Sequence, residues 1–191
     1  MRLDPATLAD LALAFLPDSY VRACLLAHRA TPLGMGHGTT RFSSPVAAFK
    51  LLYIAEDLQT ALAETMIRDR FENRVRRRIG LGEVTAWGAT EVSANAPLTL
   101  IDLRTTGLLR LGVSTDAGRA KAHRLGRVLS AAIYDRTDAD GVLYLSRLTS
   151  ATCCAVYERG VGKLSATPVE DVVTLEGLVP ALRGLDVEIV R

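Results

Sequence analysis

The chain has 191 residues, of which 49% are hydrophobic and 23% are charged, and its formal net charge is +2 at pH 7. This length suits one domain that can bury a core without disulfide or metal crosslinks. The composition excludes the disordered and fibrous classes, and so small a net charge does not by itself indicate a nucleic-acid or membrane surface.

The first predicted element is an amphipathic helix that contains the apolar stretch Leu8–Leu16, with Pro5 in its first turn and Pro17 after its end. Asp4 and Asp10 flank and interrupt this apolar stretch, and no basic segment precedes it, so it is not a signal peptide. No apolar run approaches the roughly 20 residues of a membrane span. We therefore expect a protein without a membrane segment.

The next segment, Tyr20–His28, is apolar enough for a strand or a short helix, and its periodicity does not decide between them. It leads into a loop, Ala30–Thr40, in which Gly34, Gly36 and Gly38 alternate with other residues. Such glycines allow close backbone approach. The loop is therefore either a mobile surface loop or one that covers a ligand, in which case His37 could contact that ligand.

Apolar runs and capping residues predict the remaining elements. Strands are predicted at Leu51–Ala55, Leu81–Ala94, Leu98–Leu103, Gly141–Leu145, Cys153–Tyr157 and Val187–Val190. Helices are predicted from an Asp57 cap to about Asn73, from an Asp116 cap to about Tyr134, and over Leu178–Leu185. These elements mix without a regular βαβ rhythm, which predicts a single α+β domain. No glycine-rich nucleotide fingerprint or nucleophile elbow is present.

Three cysteines, Cys24, Cys153 and Cys154, form no CxxC pair and no array with metal-ligand spacing. An odd count with one adjacent pair is a poor disulfide framework, so we expect a reducing compartment, the cytoplasm, and no bound metal. Cys153 and Cys154 lie in an apolar run and are predicted to be core residues rather than nucleophiles.

Two candidate site residues, Arg41 and Tyr53, come from the first third of the chain. Arg41 directly follows the glycine loop, where its guanidinium could clamp a phosphate or pyrophosphate, or simply face solvent. Tyr53 lies in the middle of a strand, on the face opposite to Leu52 and Ile54. It could stack on a flat ring or pack in the core.

Glu64 shares a face of the predicted helix with Ala61, Ile67 and Phe71. It is either a solvated helix residue or a placed carboxylate that stabilises a sugar oxocarbenium ion. Later in the chain, Tyr144 and Ser146 end the GVLYLS strand. No histidine lies near Ser146 in the sequence to activate it, so it suits a role in orienting another group.

The basic run Arg68–Arg78 contains Asp69 and Glu72, and Trp87 is the only tryptophan of the chain. The run resembles a solvated helix end more than a stacking platform for single-stranded nucleic acid. An acidic partner remains an alternative, as does a nucleic-acid site.

Together, these segments resemble the RES-domain family, the toxin half of RES–Xre toxin–antitoxin pairs. The resemblance covers about Thr39 to Gly160 and is carried by TRFSSP (40–45), LLYIAEDLQTALAET (51–65), LTLIDLRTTGLLRLG (98–112) and DGVLYLSRLTSATCCAVYERG (140–160). It divides the single domain into an N-terminal helix and glycine loop (1–38), a core (39–160) and a C-terminal extension (161–191). The stretch before Arg41 and the segment Gly107–Lys121 depart from a minimal RES domain.

The resemblance implies an ADP-ribosyltransferase-like fold of mixed sheets with flanking helices. It implies a toxin that consumes NAD⁺ without a metal. By the same resemblance, the active-site residues would be Arg41, Tyr53, Glu64 and Ser146. Tyr144 and His37 would be further NAD⁺ contacts. The acceptor of ADP-ribose would be water, phosphate or a protein side chain.

The implied partner is an Xre-type antitoxin that covers the site and itself carries the DNA-binding domain, so we expect no direct contact of this chain with nucleic acid. Two other hypotheses stay open. The chain could be a catalytically inactive binding module in which Arg41 and Glu64 form a structural ion pair, or a nucleic-acid binder that uses Arg68–Arg78.

Overall fold

A computed structural model describes residues 1–191 of the chain. The strands are β1 (Ala12–Phe15), β2 (Tyr20–Leu25), β3 (Leu51–Ala55), β4 (Arg78–Gly80), β5 (Trp87–Ala94), β6 (Leu98–Asp102), β7 (Gly141–Leu145), β8 (Thr152–Tyr157), β9 (Leu164–Ala166), β10 (Glu170–Asp171) and β11 (Glu188–Val190). The α-helices are α1 (Pro5–Leu11), α2 (Leu58–Leu62), α3 (Leu81–Val84), α4 (Gly107–Arg110), α5 (Asp116–Arg119), α6 (Arg124–Arg136) and α7 (Leu178–Gly184). Ala63–Ile67 continues α2 as a π-helix, and 3₁₀ turns span Leu26–His28, Glu158–Lys163 and Val172–Thr174.

Nine strands form the main sheet in the order β1-β6-β7-β8-β3-β2-β5-β10, with β9 also paired to β5. The β6–β7 pair is parallel, and the other neighbours are antiparallel. A separate parallel pair joins β4 to β11. This mixture of strands and helices confirms the α+β class, and no helix has the length and apolar character needed to cross a membrane.

Strand register places four residues in a row across the middle of the main sheet. Tyr144 pairs with Cys153, Cys153 with Ala55, and Ala55 with Val21. Directly opposed residues of antiparallel strands project from the same face, so all four side chains share one face. Tyr53, two residues before Ala55, lies on this face as well.

Three buried clusters surround the sheet. The first packs α1, α4, α5 and α6 against β6, β7 and β8 and includes Phe42 and Tyr157, which are fully buried. The second packs the helix over Leu58–Ile67 and α7 against β2 and β5. The third lies on the opposite face, around Leu52, Ile54 and Val156. The helices of the first two clusters therefore leave part of one sheet face between them.

The predicted N-terminal helix over Leu8–Leu16 is corrected by the structure. Asp4 caps α1 through the Thr7 amide, Pro5 occupies the first helical position, and the helix ends at Leu11. Residues 12–15 form β1 instead, because pairing with β6 provides hydrogen bonds that the sequence pattern does not show. Residues 20–25 are a strand, which resolves the ambiguity of Tyr20–His28.

Three later boundaries are also corrected. The helix capped by Asp57 ends at Ile67 rather than near Asn73, and Arg68 leaves it with φ 34°. The single helix predicted over residues 116–134 is two helices, separated where Ala120 is extended, with φ −65° and ψ 153°. The predicted strand over Leu81–Ala94 begins with the short helix α3. In each case tertiary packing outweighs local propensity.

Candidate active site

A cavity of about 390 Å³ lies over the row formed by Tyr144, Cys153, Ala55 and Val21. Its volume falls in the ~300–1,000 Å³ range of small-molecule sites. Of the sequence-predicted residues, Arg41, Tyr53, Glu64 and Tyr144 line it. The structure therefore brings together residues from four separate segments of the chain.

Glu64 reaches the cavity from the first residues of the π-helical turn. The preceding helix begins at Asp57, whose side chain accepts a 2.6 Å hydrogen bond from the Thr60 amide. On the helix, Glu64 lies one turn after Thr60, so both side chains face the turn that follows β7. There the buried Ser146 Oγ donates a 2.6 Å hydrogen bond to Glu64 Oε1.

All the hydrogen-bonding capacity of the Ser146 hydroxyl is used. Besides donating to Glu64, its oxygen accepts hydrogen bonds from the amides of Leu148 (3.1 Å) and Thr149 (3.2 Å). A hydroxyl has one donor and two lone pairs. Ser146 therefore holds a carboxylate oxygen, and main-chain amides occupy the lone pairs that a nucleophile would need.

Two further contacts fasten the Glu64 helix to the same turn. The hydroxyls of Thr60 and Thr149 are 2.9 Å apart. Arg147 Nη2 donates a 2.5 Å hydrogen bond to Asp69, just beyond the end of the helix. Glu64 is thus flanked by tethers on both sides, which limits how far its carboxylate can move.

Arg41 is half-buried, and its guanidinium donates a hydrogen bond to the carbonyl of Ala120, between α5 and α6. Burial lowers the pKa of Arg41 and the charge of Glu64 opposes that change, so the guanidinium stays charged at neutral pH. No N–O distance of 4.0 Å or less joins Arg41 to Glu64. Both charges therefore face the cavity without direct contact.

Tyr53 forms hydrogen bonds with the turn that carries Arg41. Tyr53 Oη accepts hydrogen bonds from Thr40 Oγ1 (2.8 Å) and from the Phe42 amide (3.1 Å). Burial raises the pKa of Tyr53, so its phenol stays protonated at neutral pH. Its hydroxyl supports the turn, and the Tyr53 side chain lines the cavity.

Tyr144 forms the neighbouring part of the floor and is almost fully buried. Its ring lies edge-on to Phe42, with centroids 4.8 Å apart. Burial raises the pKa of Tyr144 well above the ordinary value, and nearby Cys153 adds to this effect. Burial also raises the pKa of Cys153 to about 12. The three cysteines are free and buried, which confirms the prediction that Cys153 and Cys154 are core residues.

His37 is the predicted residue that the structure does not bring to the site. It is exposed on the glycine loop and does not line the cavity, although Gly34 and Gly36 do. The histidine beside the site is His123, whose ring contacts the Thr39 carbonyl (3.0 Å) and Arg68 Nη2 (3.0 Å). No group of three or more histidine, cysteine or acidic side chains is positioned to hold a metal ion.

Three lining residues, Arg22, Arg68 and Trp87, were not identified as site residues from the sequence. The sequence shows Arg68 only as part of a basic run, whereas its φ of 34° turns it out of the helix beside the cavity. Trp87 begins β5, two strands away from Tyr53, so no local pattern connects them. Its being the only tryptophan of the chain is the one sequence signal that distinguishes it.

The turn that carries Arg41 is supported by the first turn of α6 as well as by Ala120. Arg127 donates to the carbonyls of Ser43 (3.3 Å) and Ser44 (2.8 Å). A Cβ atom on Gly126 would lie 2.6 Å from the Arg41 carbonyl oxygen, so this helix turn packs directly on the Arg41 backbone. Within the segment 107–121, the Ala120 carbonyl belongs to the site because it accepts the hydrogen bond of Arg41.

Comparison with known proteins identifies the family. The model of the RES domain family matches residues 19–175. The chain belongs to the RES domain family. The matched range is wider than the core at 39–160 that the sequence motifs suggested, and it includes the segment at 107–121.

The chain is similar to one curated protein and to one solved structure. It is 39% identical over 88 residues, 46% of this chain and 69% of the relative, to probable toxin y4kH of Sinorhizobium fredii (strain NBRC 101917 / NGR234). It is also similar to a chain of the M. tuberculosis MbcT–MbcA toxin–antitoxin complex, with a TM-score of 0.66, 16% identity, and coverage of 89% of this chain and 93% of that one. At that identity the second likeness establishes the shared fold alone.

Proposed function

We propose that this RES domain chain is the toxin of a toxin–antitoxin pair and that it cleaves the nicotinamide–ribose bond of NAD⁺. The observation that carries the proposal is the Glu64 carboxylate, oriented by the buried Ser146 hydroxyl and facing a cavity that the charged Arg41 also lines. The similarity to probable toxin y4kH and to the MbcT–MbcA complex supports the toxin assignment.

In the proposed reaction, the bond between the ribose C1′ and the nicotinamide nitrogen breaks, and its electron pair leaves with nicotinamide. The ribose becomes an oxocarbenium ion, which a fixed negative charge stabilises more than it stabilises the ground state. Glu64 supplies that charge and could also accept a hydrogen bond from the ribose 2′-hydroxyl. Ser146 keeps the carboxylate in one orientation, and thereby reduces the reorganisation needed during the reaction.

Arg41 would bind the pyrophosphate or the nicotinamide-side ribose, because its fork of donors suits phosphate oxygens. Tyr53 would stack on the nicotinamide ring, and Tyr144 would close the floor beside it. The acceptor attacks C1′ and releases a proton. Water or phosphate as acceptor would make the chain a glycohydrolase or phosphorylase, and a protein side chain would make it a mono-ADP-ribosyltransferase.

We further propose that the partner is an antitoxin of the Xre type, which inhibits the toxin by covering this cavity. The basic run is less available to nucleic acid than its sequence suggests, because Arg70 pairs with Glu83 and Arg78 with Glu188. A nucleic-acid binder would instead show an affinity that falls steeply with salt concentration.

The deciding experiment mixes purified protein, freed of any bound partner, with NAD⁺ and follows nicotinamide release. Three reactions run in parallel, with water alone, with inorganic phosphate, and with cell extract plus labelled NAD⁺. Nicotinamide release in any of them supports the proposed NAD⁺ cleavage. The labelled or phosphorylated product then identifies the acceptor of ADP-ribose. No release in all three would exclude the enzymatic proposal and leave the inactive binding module.

The toxin assignment has its own test in growing cells. Expression of the chain alone is expected to arrest growth, and co-expression of an Xre-type antitoxin is expected to restore it. The Glu64→Gln variant, expressed to the same level, should leave growth unaffected. Normal growth with high levels of folded wild-type protein would contradict the assignment.

A further inference from the structure

The cavity extends well beyond the residues assigned to the reaction. From Glu64 and Tyr144 it continues over Ala55 and Val21 to Ala23 and Trp87. Trp87 is half-buried, and its partner across the β2–β5 ladder, Leu25, is exposed. This second end of the cavity therefore lies close to solvent.

Trp87 projects from the same sheet face as the reacting end. Leu25 pairs with Trp87 and lies four residues from Val21 on β2, so alternation places Trp87 on the face that carries Val21. That face also carries Ala55, Cys153 and Tyr144. The next residue, Gly88, faces away, because a Cβ there would meet Val169 and Leu26.

The separation of the two ends suits a dinucleotide. Tyr144 and Trp87 lie on β7 and β5, four strand intervals apart in the order β7-β8-β3-β2-β5. At about 4.8 Å for each interval, the two strands are about 19 Å apart. Trp87 also lies four residues along β5 from Glu91, the partner of Val21, so a flat sheet would separate the two ends by roughly 23 Å. A single nucleotide would not reach from one end to the other, whereas an extended dinucleotide would.

Small residues share the cavity lining with Trp87. Between the two ends the cavity is lined by small residues, including Ala23, Gly34 and Gly36. An indole with one accessible face binds any base by stacking, because every base has a π-face. At the reacting end, Tyr53 and Tyr144 are the aromatic residues that would bind the nicotinamide ring.

We propose that Trp87 is the stacking platform for the adenine base of the dinucleotide and makes the chain prefer a dinucleotide over a nicotinamide mononucleotide. The proposal rests on the proposed function, since the position of Glu64 decides which end of the substrate reacts. Trp87 contacts the substrate far from the bond that breaks, so it contributes to binding and not to the chemical step.

Fluorescence tests the proposal without any turnover. Trp87 is the only tryptophan of the chain, so the protein's tryptophan emission reports on this position alone. Adenosine monophosphate and ADP-ribose are expected to change the emission in a saturable manner, whereas nicotinamide mononucleotide should leave it nearly unchanged. A saturable response to nicotinamide mononucleotide with none to adenosine monophosphate would reverse the orientation and overturn the proposal.

Kinetics of Trp87→Ala and Trp87→Phe give a second test. Trp87→Ala removes the base stack and should raise KM for NAD⁺ about 10- to 100-fold, with kcat nearly unchanged. Trp87→Phe keeps an aromatic ring, so its KM should be close to that of the wild-type protein. The inhibition constant of adenosine monophosphate should rise in parallel, while that of nicotinamide stays constant. Circular dichroism and the melting temperature check folding, because Trp87 also packs against a buried cluster.

The outcomes separate this proposal from the proposed function. If the wild-type protein cleaves NAD⁺ but both Trp87 variants keep its KM, the adenine platform is wrong and the enzyme assignment stands. If no NAD⁺ is cleaved, adenosine monophosphate binding at Trp87 still supports the platform. An equal loss of adenosine monophosphate and nicotinamide binding in folded Trp87→Phe would show that the residue only maintains the structure.

Discussion

The side of the cavity that carries Glu64 and the side that carries Arg41 are held by different kinds of contact. The carboxylate wall (Glu64, Thr60, Ser146 and Thr149) is joined by side-chain hydrogen bonds, 2.6 Å between Ser146 and Glu64 and 2.9 Å between the two threonines. The guanidinium wall (Arg41, Ala120, Gly126 and Arg127) depends on main-chain carbonyls and on close packing of α6 against the Arg41 backbone.

This difference indicates how each wall should respond to substitution. Hydrogen bonds between side chains can be removed one at a time, and a buried group left without its partner costs about 1–3 kcal/mol. Close packing is sensitive to added volume instead. We expect the carboxylate wall to be disrupted by substitutions that remove a polar group. The guanidinium wall should be disrupted by substitutions that replace a small residue with a larger one.

The largest effect is expected for Glu64→Gln. The amide keeps the size of the side chain and can still accept the Ser146 hydrogen bond, but it lacks the charge that stabilises the oxocarbenium ion. We expect kcat for nicotinamide release to fall about 10²–10³-fold, with little change in KM or melting temperature. Glu188→Gln, which changes an exposed glutamate on β11, is the matched control. Wild-type turnover by a folded Glu64→Gln protein would remove Glu64 from the mechanism.

Arg41→Ala should act mainly on binding. The pyrophosphate is charged before and after the reaction, so its contact with Arg41 is made in the ground state as well as in the transition state. Loss of a charge-assisted hydrogen bond, worth about 1.5–3 kcal/mol, should raise KM roughly 10- to 100-fold. Arg124→Ala, at an exposed position on α6, should leave KM unchanged. If instead Arg41→Ala mainly unfolds the protein, the residue is structural.

Ser146→Ala should have a smaller effect on rate, because the charge of Glu64 remains. The carboxylate loses its orienting donor, and we expect kcat to fall roughly tenfold. Two backbone amides also lose their acceptor, so the free energy of unfolding should fall by about 1–3 kcal/mol. Ser150→Ala, at an exposed position in the same turn, controls for the change of residue type.

A double-mutant cycle sharpens this result. If Ser146 acts through Glu64, the rate effect of Ser146→Ala should largely disappear in the Glu64→Gln background. Additive effects would mean that Ser146 contacts the substrate independently of Glu64.

Gly126→Ala tests the guanidinium wall. The new methyl group would lie 2.6 Å from the carbonyl oxygens of both Ala117 and Arg41, so backbone must move. We expect a loss of about 1–3 kcal/mol in stability and a rise of a few-fold in KM as Arg41 shifts. Gly82→Ala, in α3, has nothing within 4 Å of its Cβ and should be neutral or stabilising by up to about 0.5–1 kcal/mol. Equal effects at both glycines would argue against close packing at Gly126.

The smallest effect concerns alkaline pH. Burial, and secondarily the charge of Glu64, raises the pKa of Cys153 from 9.0 to about 12. The protonated thiol thus stabilises the fold below the unfolded pKa, and this contribution is lost as pH rises through the folded value. Urea midpoints should therefore decline between about pH 9 and pH 12, and less steeply for Cys153→Ala. The same slope in both proteins would show that other groups cause the decline.

Sequence alone determined the parts of this protein that depend on local pattern. The structure contains the elements that the Asp57 cap and three apolar runs predicted, at Leu51–Ala55, Gly141–Leu145 and Cys153–Tyr157. The motifs around Arg41 and Glu64 led to the RES domain family, which the family match confirmed. These signals are readable because a strand or a helix cap is specified by neighbouring residues.

Tertiary structure decided everything that joins distant segments. Ser146 contacts Glu64 across 82 positions of sequence, and Trp87 enters the cavity because β2 and β5 are neighbours in the sheet. The ends of the first two helices were likewise decided by strand pairing at residues 12–15 and by the π-helical turn before Arg68. Long-range pairing and packing contribute more free energy than the propensity of any single residue, so no local pattern could have revealed them.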